Sequence, residues 1–258
     1  MKGIICKSIV PVWSEPSWRS EMVTQLLFGE SYEIMDEKDG WLLVSGTADH
    51  YEGWINGGMS SLIDTSYYEK MISKDAFKVD EIVAKATNLK DNTTIHLVKG
   101  SLLPLLNEGI VDLGSNTFQF HGSYSAFPKQ PDISKLESEA LSYLNAPYLW
   151  GGRSPFGIDC SGFVQMVYRN CGINLPRDAR QQVELGDIIS FISETVKGDL
   201  AFFENTAGTI IHVGILLGDN KIIHASGSVR IDAIDHQGIF NRELGKYTHQ
   251  LRIIKRLS

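Results

Sequence analysis

The hydrophobic pattern of this chain changes character near residue 128, and that change limits the folds open to it. Up to residue 127, short apolar runs alternate with turn-prone pairs, which is typical of β-strands. From residue 128 onward, two stretches with helical spacing come before a series of strand-like runs. Helices followed by an antiparallel sheet predict an α+β domain over residues 128–258, preceded by a β-rich segment.

The β-rich segment divides again near residue 64. Residues 1–64 contain about five apolar runs, and closure into a small barrel would remove their exposed sheet edges. Residues 65–127 are less regular, and we interpret them as a second, divergent barrel, with an irregular linker domain as the alternative. The expected strands are Ile4–Val12, Met22–Phe28, Tyr32–Met35, Trp41–Val44 and Gly53–Ile55, then Thr93–Val98, Ser101–Leu106 and Thr117–Phe120.

The α+β domain is expected to begin with two helices. An amphipathic helix over residues 133–144 follows Pro131-Asp132, and a second helix over residues 160–171 is ended by Gly172. The strands expected after them are Ile188–Ile192, Leu200–Phe203, Ile210–Leu217, Lys221–Ala225 and Gln250–Ile254.

Composition restricts the class of partner. Hydrophobic residues make up 43% of the chain and charged residues 21%, which is typical of a globular protein. The net charge of −7 argues against nucleic acid or an anionic membrane as partner, since their binders usually carry a basic excess. No apolar run approaches the ~20 residues of a membrane span, and the first residues lack a signal-peptide core. We expect a cytoplasmic monomer, or a periplasmic or envelope protein if a leader has been removed.

The three cysteines match neither a disulfide framework nor a zinc pattern. Cys6 and Cys171 fit small, buried, apolar positions. Cys160 lies between a glycine-rich loop and a helical stretch, and so falls at a helix N-terminus. Unpaired N–H groups and the positive end of the helix dipole there favour a thiolate and could stabilise an oxyanion. By position alone, a catalytic thiol and a buried first-turn residue are equally good interpretations.

A catalytic thiol needs a base that titrates near neutral pH, which points to histidine. His212 and His224 lie within two apolar strands joined by Gly218-Asp219-Asn220. Solvated or structural roles suit the other five histidines, which are His50, His96, His121, His236 and His249.

The length of the connection between the two strands decides whether their histidines meet. A three-residue loop pairs Leu217 with Lys221, and therefore Gly214 with His224. Both imidazoles would then share one sheet face, within ~8 Å of each other between backbones. A two-residue turn would place them on opposite faces. We expect the longer loop, which brings together a nucleophile, a base and an orienting group.

Six motifs follow one another in the second half of the chain: Pro147–Gly152, Asp159–Val164, Leu175–Ala179, Gly198–Phe203, His212–Ile215 and Ile223–Ser226. In this order they resemble the NlpC family of papain-like cell-wall peptidases. The resemblance implies a papain-like fold and a Cys-His-His triad of Cys160, His212 and His224. In that mapping His212 takes the thiol proton, and His224 orients the imidazole ring of His212. Tyr148 would lie near the thiol and assist the oxyanion.

Part of the N-terminal segment resembles a bacterial SH3-type domain, in the motifs Glu15–Ser17, Gln25–Glu30, Asp39–Val44 and Tyr51–Ile55. The implied organisation is one SH3-type domain at 1–64, a second and divergent one at 65–127, and an NlpC-family catalytic domain at 128–258. This layout is similar to that of the γ-D-glutamyl-L-diamino-acid endopeptidases, or dipeptidyl-peptidase VI. It implies that peptidoglycan-derived peptides are cleaved after a free N-terminal L-Ala-γ-D-Glu unit.

Such selectivity needs an anionic pocket for a free ammonium group. The resemblance assigns this pocket to Asp159 and Asp178, with the hydroxyl of Ser161, although Asp159 also fits a simple helix cap. Glu15 and Tyr51 are the candidates for the acidic residue and the tyrosine that the SH3-type domain would supply, with exposed loop positions as the alternative.

Further positions complete the expected site. Arg177 either meets a substrate carboxylate or pairs with Asp178, and Trp150 is a candidate substrate contact. Ala179 stands where related sequences often carry serine, which removes one substrate hydrogen bond. No metal or organic cofactor is implied, because the thiolate supplies the nucleophile. Two alternatives stay open: a wall-binding module with an inactive peptidase domain, and an amidase or acyltransferase on the same fold.

Overall fold

The computed structural model describes residues 1–257 of the chain. It divides into two compact units, Met1–Lys129 and Gln130–Ser258. The first unit holds the segments expected to form barrels, and the second begins close to the predicted start of the catalytic domain at residue 128.

The first seven strands form one antiparallel sheet. They are β1 Lys2–Ile4, β2 Ile9–Trp13, β3 Met22–Leu27, β4 Ser31–Lys38, β5 Trp41–Gly46, β6 Glu52–Asn56 and β7 Ser61–Ile63. Their order across the sheet is β3-β2-β6-β5-β4-β1-β7. Ile5, Val10, Tyr32, Val44 and Ile55 belong to its buried core.

The rest of the first unit begins with helix α1 and continues with six short strands. They are α1 Thr65–Ile72, β8 Phe77–Val79, β9 Val83–Asn88, β10 Thr94–Val98, β11 Ile110–Asp112, β12 Thr117–His121 and β13 Tyr124–Ala126. Four of them form a sheet in the order β10-β9-β12-β11, and β8 pairs with β13. Phe28 of the first segment packs in the same core as Leu97 and Phe118 of the second. The two segments therefore share apolar contacts within one unit.

Two strand predictions in this unit are wrong. The expected strand Ile4–Val12 is divided into β1 and β2. The expected strand Ser101–Leu106 is a loop with one isolated bridge, between Leu102 and Lys78. Its N–H groups bond to separate parts of the unit, Leu102 to the carbonyl of Phe28 and Leu103 to that of Phe77, so no continuous ladder can form.

Within residues 130–257, the second unit contains three α-helices. A short 3₁₀ turn, Ile133–Lys135, precedes α2 Leu136–Leu141, so the helix expected over 133–144 is shorter than predicted. The helix expected over 160–171 is confirmed as α3 Cys160–Asn170, and every residue of α3 is buried. Helix α4 is Ala179–Gln182.

Nine strands complete the described part of this unit. They are β14 Arg153–Ser154, β15 Gly157–Ile158, β16 Asp187–Ile189, β17 Leu200–Glu204, β18 Ile210–Gly218, β19 Lys221–Ser226, β20 Ser228–Ile234, β21 Gly238–Asn241 and β22 Lys246–Arg256. Seven form a sheet in the order β16-β22-β17-β18-β19-β20-β21, and β22 also pairs with β21. The six strands from β17 to β22 therefore form a closed ring of paired strands. Helix α3 packs against β18 and β19, which brings its first residue to the histidine-bearing hairpin.

The predicted α+β class is confirmed, with a mainly β first unit and helices ahead of the main sheet in the second. Within residues 1–257, no helix is long and apolar enough to cross a membrane.

The hairpin of β18 and β19 has the predicted histidine register but a different loop. Gly214 pairs with His224, as expected. Lys221, however, pairs with Gly218 rather than with Leu217, and the register shifts between Leu216 and Gly218.

A two-residue turn and a bulge explain this register. Asp219 and Asn220 have φ angles of 49° and 54°, which fit the two central positions of a type I′ turn. The bulge at Leu217 adds one unpaired residue to β18, and so compensates for the residue missing from the turn. His212 and His224 therefore remain on one face of the sheet.

Candidate active site

Cys160 begins α3 directly after Asp159, the N-cap residue. The Gly162 N–H donates to Asp159 Oδ1 at 2.7 Å, which satisfies one of the free donors of the first turn. A Cβ on Gly162 would lie 2.4 Å from the carbonyl oxygen of Gly152. Glycine thus allows the helix start to lie directly against the glycine-rich loop, and this fixes the position of the thiol.

Burial has the largest influence on the Cys160 thiol. Its side chain is 7% exposed. Burial and the charge of Asp159 raise the pKa of Cys160 to about 12, while the N–H groups of Val213 and Ser161 act in the opposite direction. The helix-start N–H group of Ser161 therefore lowers the pKa of the thiol, as expected, but desolvation outweighs it in this site.

Three side chains follow one another in a hydrogen-bonded line on the sheet. His212 Nε2 lies 2.8 Å from His224 Nδ1, and His224 Nε2 lies 3.1 Å from Asp232 Oδ2. The contact of the thiol with the N–H of Val213, the residue after His212, places Cys160 beside the first member of this line. Because Nε2 of His212 is hydrogen-bonded to His224, Nδ1 of His212 is the nitrogen available for the thiol proton.

Asp232 is a member of this line that the sequence patterns did not reveal. Arg230 Nε and Nη2 donate to its two oxygens at 2.8 Å and 3.1 Å. Burial would raise the pKa of Asp232, but the hydrogen bonds from His224 and Arg230 outweigh it and lower that pKa. The ionised carboxylate accepts the Nε2 proton of His224, which leaves Nδ1 of His224 as an acceptor.

His249 is one of the five histidines for which the sequence favours a solvated or structural role. It lies in β22 and stacks on His212, with ring centroids 4.1 Å apart and planes inclined by 26°. Burial, reinforced by His224, lowers the pKa of His249 to about 4. Burial, with His224 and His249, also lowers the pKa of His212 well below its ordinary value. Both imidazoles are therefore neutral at pH 7, and so is the thiol.

Tyr148 lies in the loop that leads to the glycine-rich segment. Its N–H donates to the carbonyl of Gly227 at 2.9 Å. Burial first, and then the proximity of Cys160 and Asp159, raise the pKa of Tyr148 to about 12. The phenol therefore keeps its proton at neutral pH and can donate a hydrogen bond close to the thiol.

Arg177 forms a buried ion pair with Asp159, a partner that the sequence reasoning did not consider. Its Nη1 donates to Asp159 Oδ1 at 3.0 Å and its Nη2 to Oδ2 at 2.5 Å. The two side chains are 1% and 8% exposed. Nη1 also donates to Ser161 Oγ at 2.9 Å, and the Gly151 N–H donates to Asp159 Oδ2 at 2.8 Å. Asp159 thus joins the loop, the helix start and Arg177.

This ion pair bears on the expected ammonium pocket. The charge of Asp159 is balanced inside the protein by Arg177, and the Ser161 hydroxyl takes part in the same cluster. Asp178 is half-buried at the N-cap of α4, where its N–H lies 3.3 Å from Gln181 Oε1. Of the two predicted acidic residues, Asp178 is the more accessible to a ligand.

The other candidate substrate contacts lie in loops. Trp150 is 59% exposed in the second unit. Glu15 is exposed and Tyr51 is half-buried in the first unit, in the segments before β3 and β6. Their contact with a substrate stays a prediction.

The second unit therefore combines a buried thiol at a helix start with a histidine pair oriented by a carboxylate. A nucleophile beside a base that is itself held by a third group is the arrangement that thiol hydrolases require. Residues 145–247 match the NlpC/P60 family, and residues 12–57 match the bacterial dipeptidyl-peptidase SH3 domain.

Curated relatives extend this likeness over nearly the whole chain. Dipeptidyl-peptidase 6 of Lysinibacillus sphaericus is 30% identical, over 92% of this chain and 93% of the relative. A γ-D-glutamyl-L-lysine dipeptidyl-peptidase of Bacillus cereus (strain ATCC 10987 / NRS 248) is 27% identical, over 88% of this chain and 74% of the relative. The chain belongs to the NlpC/P60 family of peptidases, which are hydrolases. An SH3-like domain precedes its NlpC/P60 domain in the sequence.

The fold agrees with this assignment. The crystal structure of an NlpC/P60 family protein from Bacillus cereus ATCC 10987 superposes with a TM-score of 0.84, at 22% identity and with 99% of each chain covered. The predicted fold, in which an SH3-type barrel precedes an NlpC-type domain along the chain, is confirmed.

Proposed function

We propose that this protein is a cysteine endopeptidase that acts on peptidoglycan-derived peptides with a free N-terminal L-Ala. It would hydrolyse the bond between γ-D-Glu and the diamino acid and release L-Ala-γ-D-Glu. The observation that carries the proposal is the line His212–His224–Asp232 beside the buried thiol of Cys160. The names of the relatives, dipeptidyl-peptidase 6 and γ-D-glutamyl-L-lysine dipeptidyl-peptidase, support the choice of bond.

The first half of the reaction forms a thioester. Cys160 Sγ attacks the carbonyl carbon of the γ-D-glutamyl amide, and the thiol proton passes to His212 Nδ1. Because both groups are neutral at rest, proton transfer accompanies the attack rather than preceding it. The oxyanion is stabilised by the Tyr148 hydroxyl and the first-turn N–H groups of α3. When the intermediate collapses, the C–N bond breaks and the leaving amine takes the proton from His212.

The second half restores the thiol. A water molecule attacks the thioester carbonyl and gives a proton to His212, which returns it to the departing sulfur. His224 Nδ1 accepts a hydrogen bond from the Nε2–H of His212 in both halves of the reaction. Asp232 holds His224 in the tautomer that can accept this hydrogen bond. The imidazolium that forms transiently on His212 is thereby stabilised, although the resting site disfavours it.

Recognition of the free amino end is assigned to Asp178, which is half-buried in the second unit. Asp159 contributes less charge to this pocket, because Arg177 neutralises it. An ammonium group next to a partly exposed carboxylate gains a charge-assisted hydrogen bond. Acetylation of the substrate amine removes its charge, and we expect this to lower kcat/KM.

The test is incubation with free tri- and tetrapeptides, L-Ala-γ-D-Glu-diaminopimelate with and without D-Ala, in parallel with intact sacculi. Mass spectrometry identifies the products, and lysine in place of diaminopimelate tests the preference for the diamino acid. We expect release of L-Ala-γ-D-Glu from the free peptides. Cleavage of intact walls alone would rule out this substrate class.

Three controls separate the alternatives. N-acetylated tripeptide tests the free-amine requirement, and equal turnover would contradict it. Binding to peptidoglycan with no peptide released from any substrate would instead indicate an inactive wall-binding module. If an added amine were acylated in preference to water, the product mass would show an acyltransferase.

A further inference from the structure

Three imidazoles meet at one place in the second unit. One ring nitrogen from each of His212, His224 and His249 lies within 4.8 Å of the other two. Within residues 1–257, no second group of three or more histidine, cysteine or acidic side chains meets the same spacing. The reaction described above uses His212 and His224, but it assigns no step to His249.

The ligand type restricts what such a cluster would bind. Three imidazole ligands suit borderline transition metals such as Zn²⁺, whereas Mg²⁺ and Ca²⁺ prefer oxygen ligands. A Zn–N bond is about 2.0 Å long, so tetrahedral ligands lie about 3.3 Å apart. His212 Nε2 and His224 Nδ1, at 2.8 Å, are already close to that spacing. His249 has to turn out of its stack on His212, and its place at the partly exposed edge of the cluster permits this.

The outer contacts of the cluster match those of protein zinc sites. The Nε2–H of His224 donates a hydrogen bond to Asp232, and this leaves Nδ1 of His224 as the coordinating atom. Carboxylates that hold a histidine in this way raise its basicity and orient its ring in metal sites.

We propose that His212, His224 and His249 form a binding site for Zn²⁺ or a similar divalent transition metal. Coordination by Nε2 would move the ring proton of His212 to Nδ1, without net release of a proton. Nδ1 could then no longer accept the proton of Cys160. Bound metal would therefore inhibit hydrolysis reversibly. This inhibition rests on the proposed function, but the binding of the metal does not.

The test is a calorimetric titration of Zn²⁺ into the full-length Cys160→Ala protein, in which the thiol cannot act as a ligand. We expect one Zn²⁺ per chain. His249→Phe keeps an aromatic ring for the stack but removes the ligand nitrogen, and it should weaken binding at least about 100-fold. His236→Phe, at an exposed position of the same unit, is the matched control and should bind as the parent does.

Two results would overturn the proposal. One is the absence of Zn²⁺ binding to the Cys160→Ala protein, and the other is equal affinity of the His249→Phe variant. Asp232→Asn supplies a second measurement, since loss of the outer carboxylate should weaken binding about 10–100-fold with all three ligands in place. Failure of the peptidase assay would leave these binding results unaffected, so the two proposals fail separately.

Discussion

The Nε2–H of His224 donates a hydrogen bond to Asp232 Oδ2 at 3.1 Å, and this contact fixes the direction of the hydrogen bond between His224 and His212. The two residues are diagonal neighbours on adjacent strands, since His224 pairs with Arg230 and Asp232 lies two residues further along β20. The orienting group in this site is therefore a histidine that is itself oriented by a carboxylate.

Replacement of Asp232 by asparagine should slow catalysis while leaving substrate binding nearly intact. The amide can donate to His224 and so favour the wrong tautomer, which deprives His212 of its acceptor. We expect kcat to fall about 10–100-fold with little change in KM, measured on the free tripeptide.

Arg230→Gln is the matched control for this change, because it removes the guanidinium from Asp232 but leaves the carboxylate bonded to His224. A loss of kcat in Arg230→Gln as large as that in Asp232→Asn would show that packing, rather than the tautomer of His224, is responsible.

Replacement of Arg177 by methionine should destabilise the second unit. The change leaves the buried carboxylate of Asp159 without its countercharge, and breaking such a pair costs about 3–5 kcal/mol of unfolding free energy. Chemical denaturation measures the loss. Arg180→Met, at an exposed position of the same segment, should change stability by less than about 0.5 kcal/mol. Equal effects of the two variants would contradict the importance of the buried pair.

Tyr148→Phe tests the proposed oxyanion donor. Loss of one such donor typically costs about 100-fold in kcat. Because the phenol is protonated at neutral pH, the change removes a donor rather than a charge. The rate at which iodoacetamide alkylates Cys160 should stay the same, since alkylation forms no oxyanion. Unchanged kcat would remove Tyr148 from the mechanism.

Stability should fall when the pH drops below about 6.5. The pKa of His249 is lowered to about 4 in the folded protein, from an ordinary value of 6.5. Between these values the unfolded chain binds a proton that the folded protein does not, so the unfolding free energy decreases as the pH falls. His249→Phe should flatten this dependence between pH 4 and 6.5, whereas exposed His236→Phe should not. Parallel pH curves for His249→Phe and the parent would contradict the buried, neutral state of His249.

Alkylation of Cys160 should also depend on pH in a defined way. With its pKa raised to about 12, the thiolate fraction grows with each pH unit through the neutral range. The rate with iodoacetamide should therefore keep rising from pH 6 to 9, after subtraction of the Cys160→Ala background. A plateau below pH 8 would indicate a preformed thiolate and would contradict the neutral resting site.

Local patterns in the sequence were sufficient to place Cys160. The glycine-rich loop, the N-cap Asp159 and the following helical spacing are all close to it in the chain, and α3 begins where they predict. The hairpin register was also predictable, although the observed turn and bulge differ from the expected loop. Gly214 faces His224 in either arrangement because the bulge compensates for the shorter turn.

Asp232 and His249 escaped prediction because their positions depend on contacts between strands distant in the chain. Residues 228–234 carry a strand signal, since Val229, Ile231 and Ala233 alternate with polar side chains. Recognition of that strand could have placed Asp232 beside His224. His249 has no comparable signal, because β22 reaches the site by pairing with β17, more than forty positions earlier. Likewise, only folding brings Arg177 to Asp159.

The most direct test of the central claim compares the protein with its Cys160→Ala variant on L-Ala-γ-D-Glu-diaminopimelate. Mass spectrometry follows the release of L-Ala-γ-D-Glu, and circular dichroism verifies that the variant is folded. We expect steady release by the protein and none by the variant, since the alanine has no sulfur to form the thioester. Release by the folded variant at the rate of the parent would show that Cys160 is not the nucleophile.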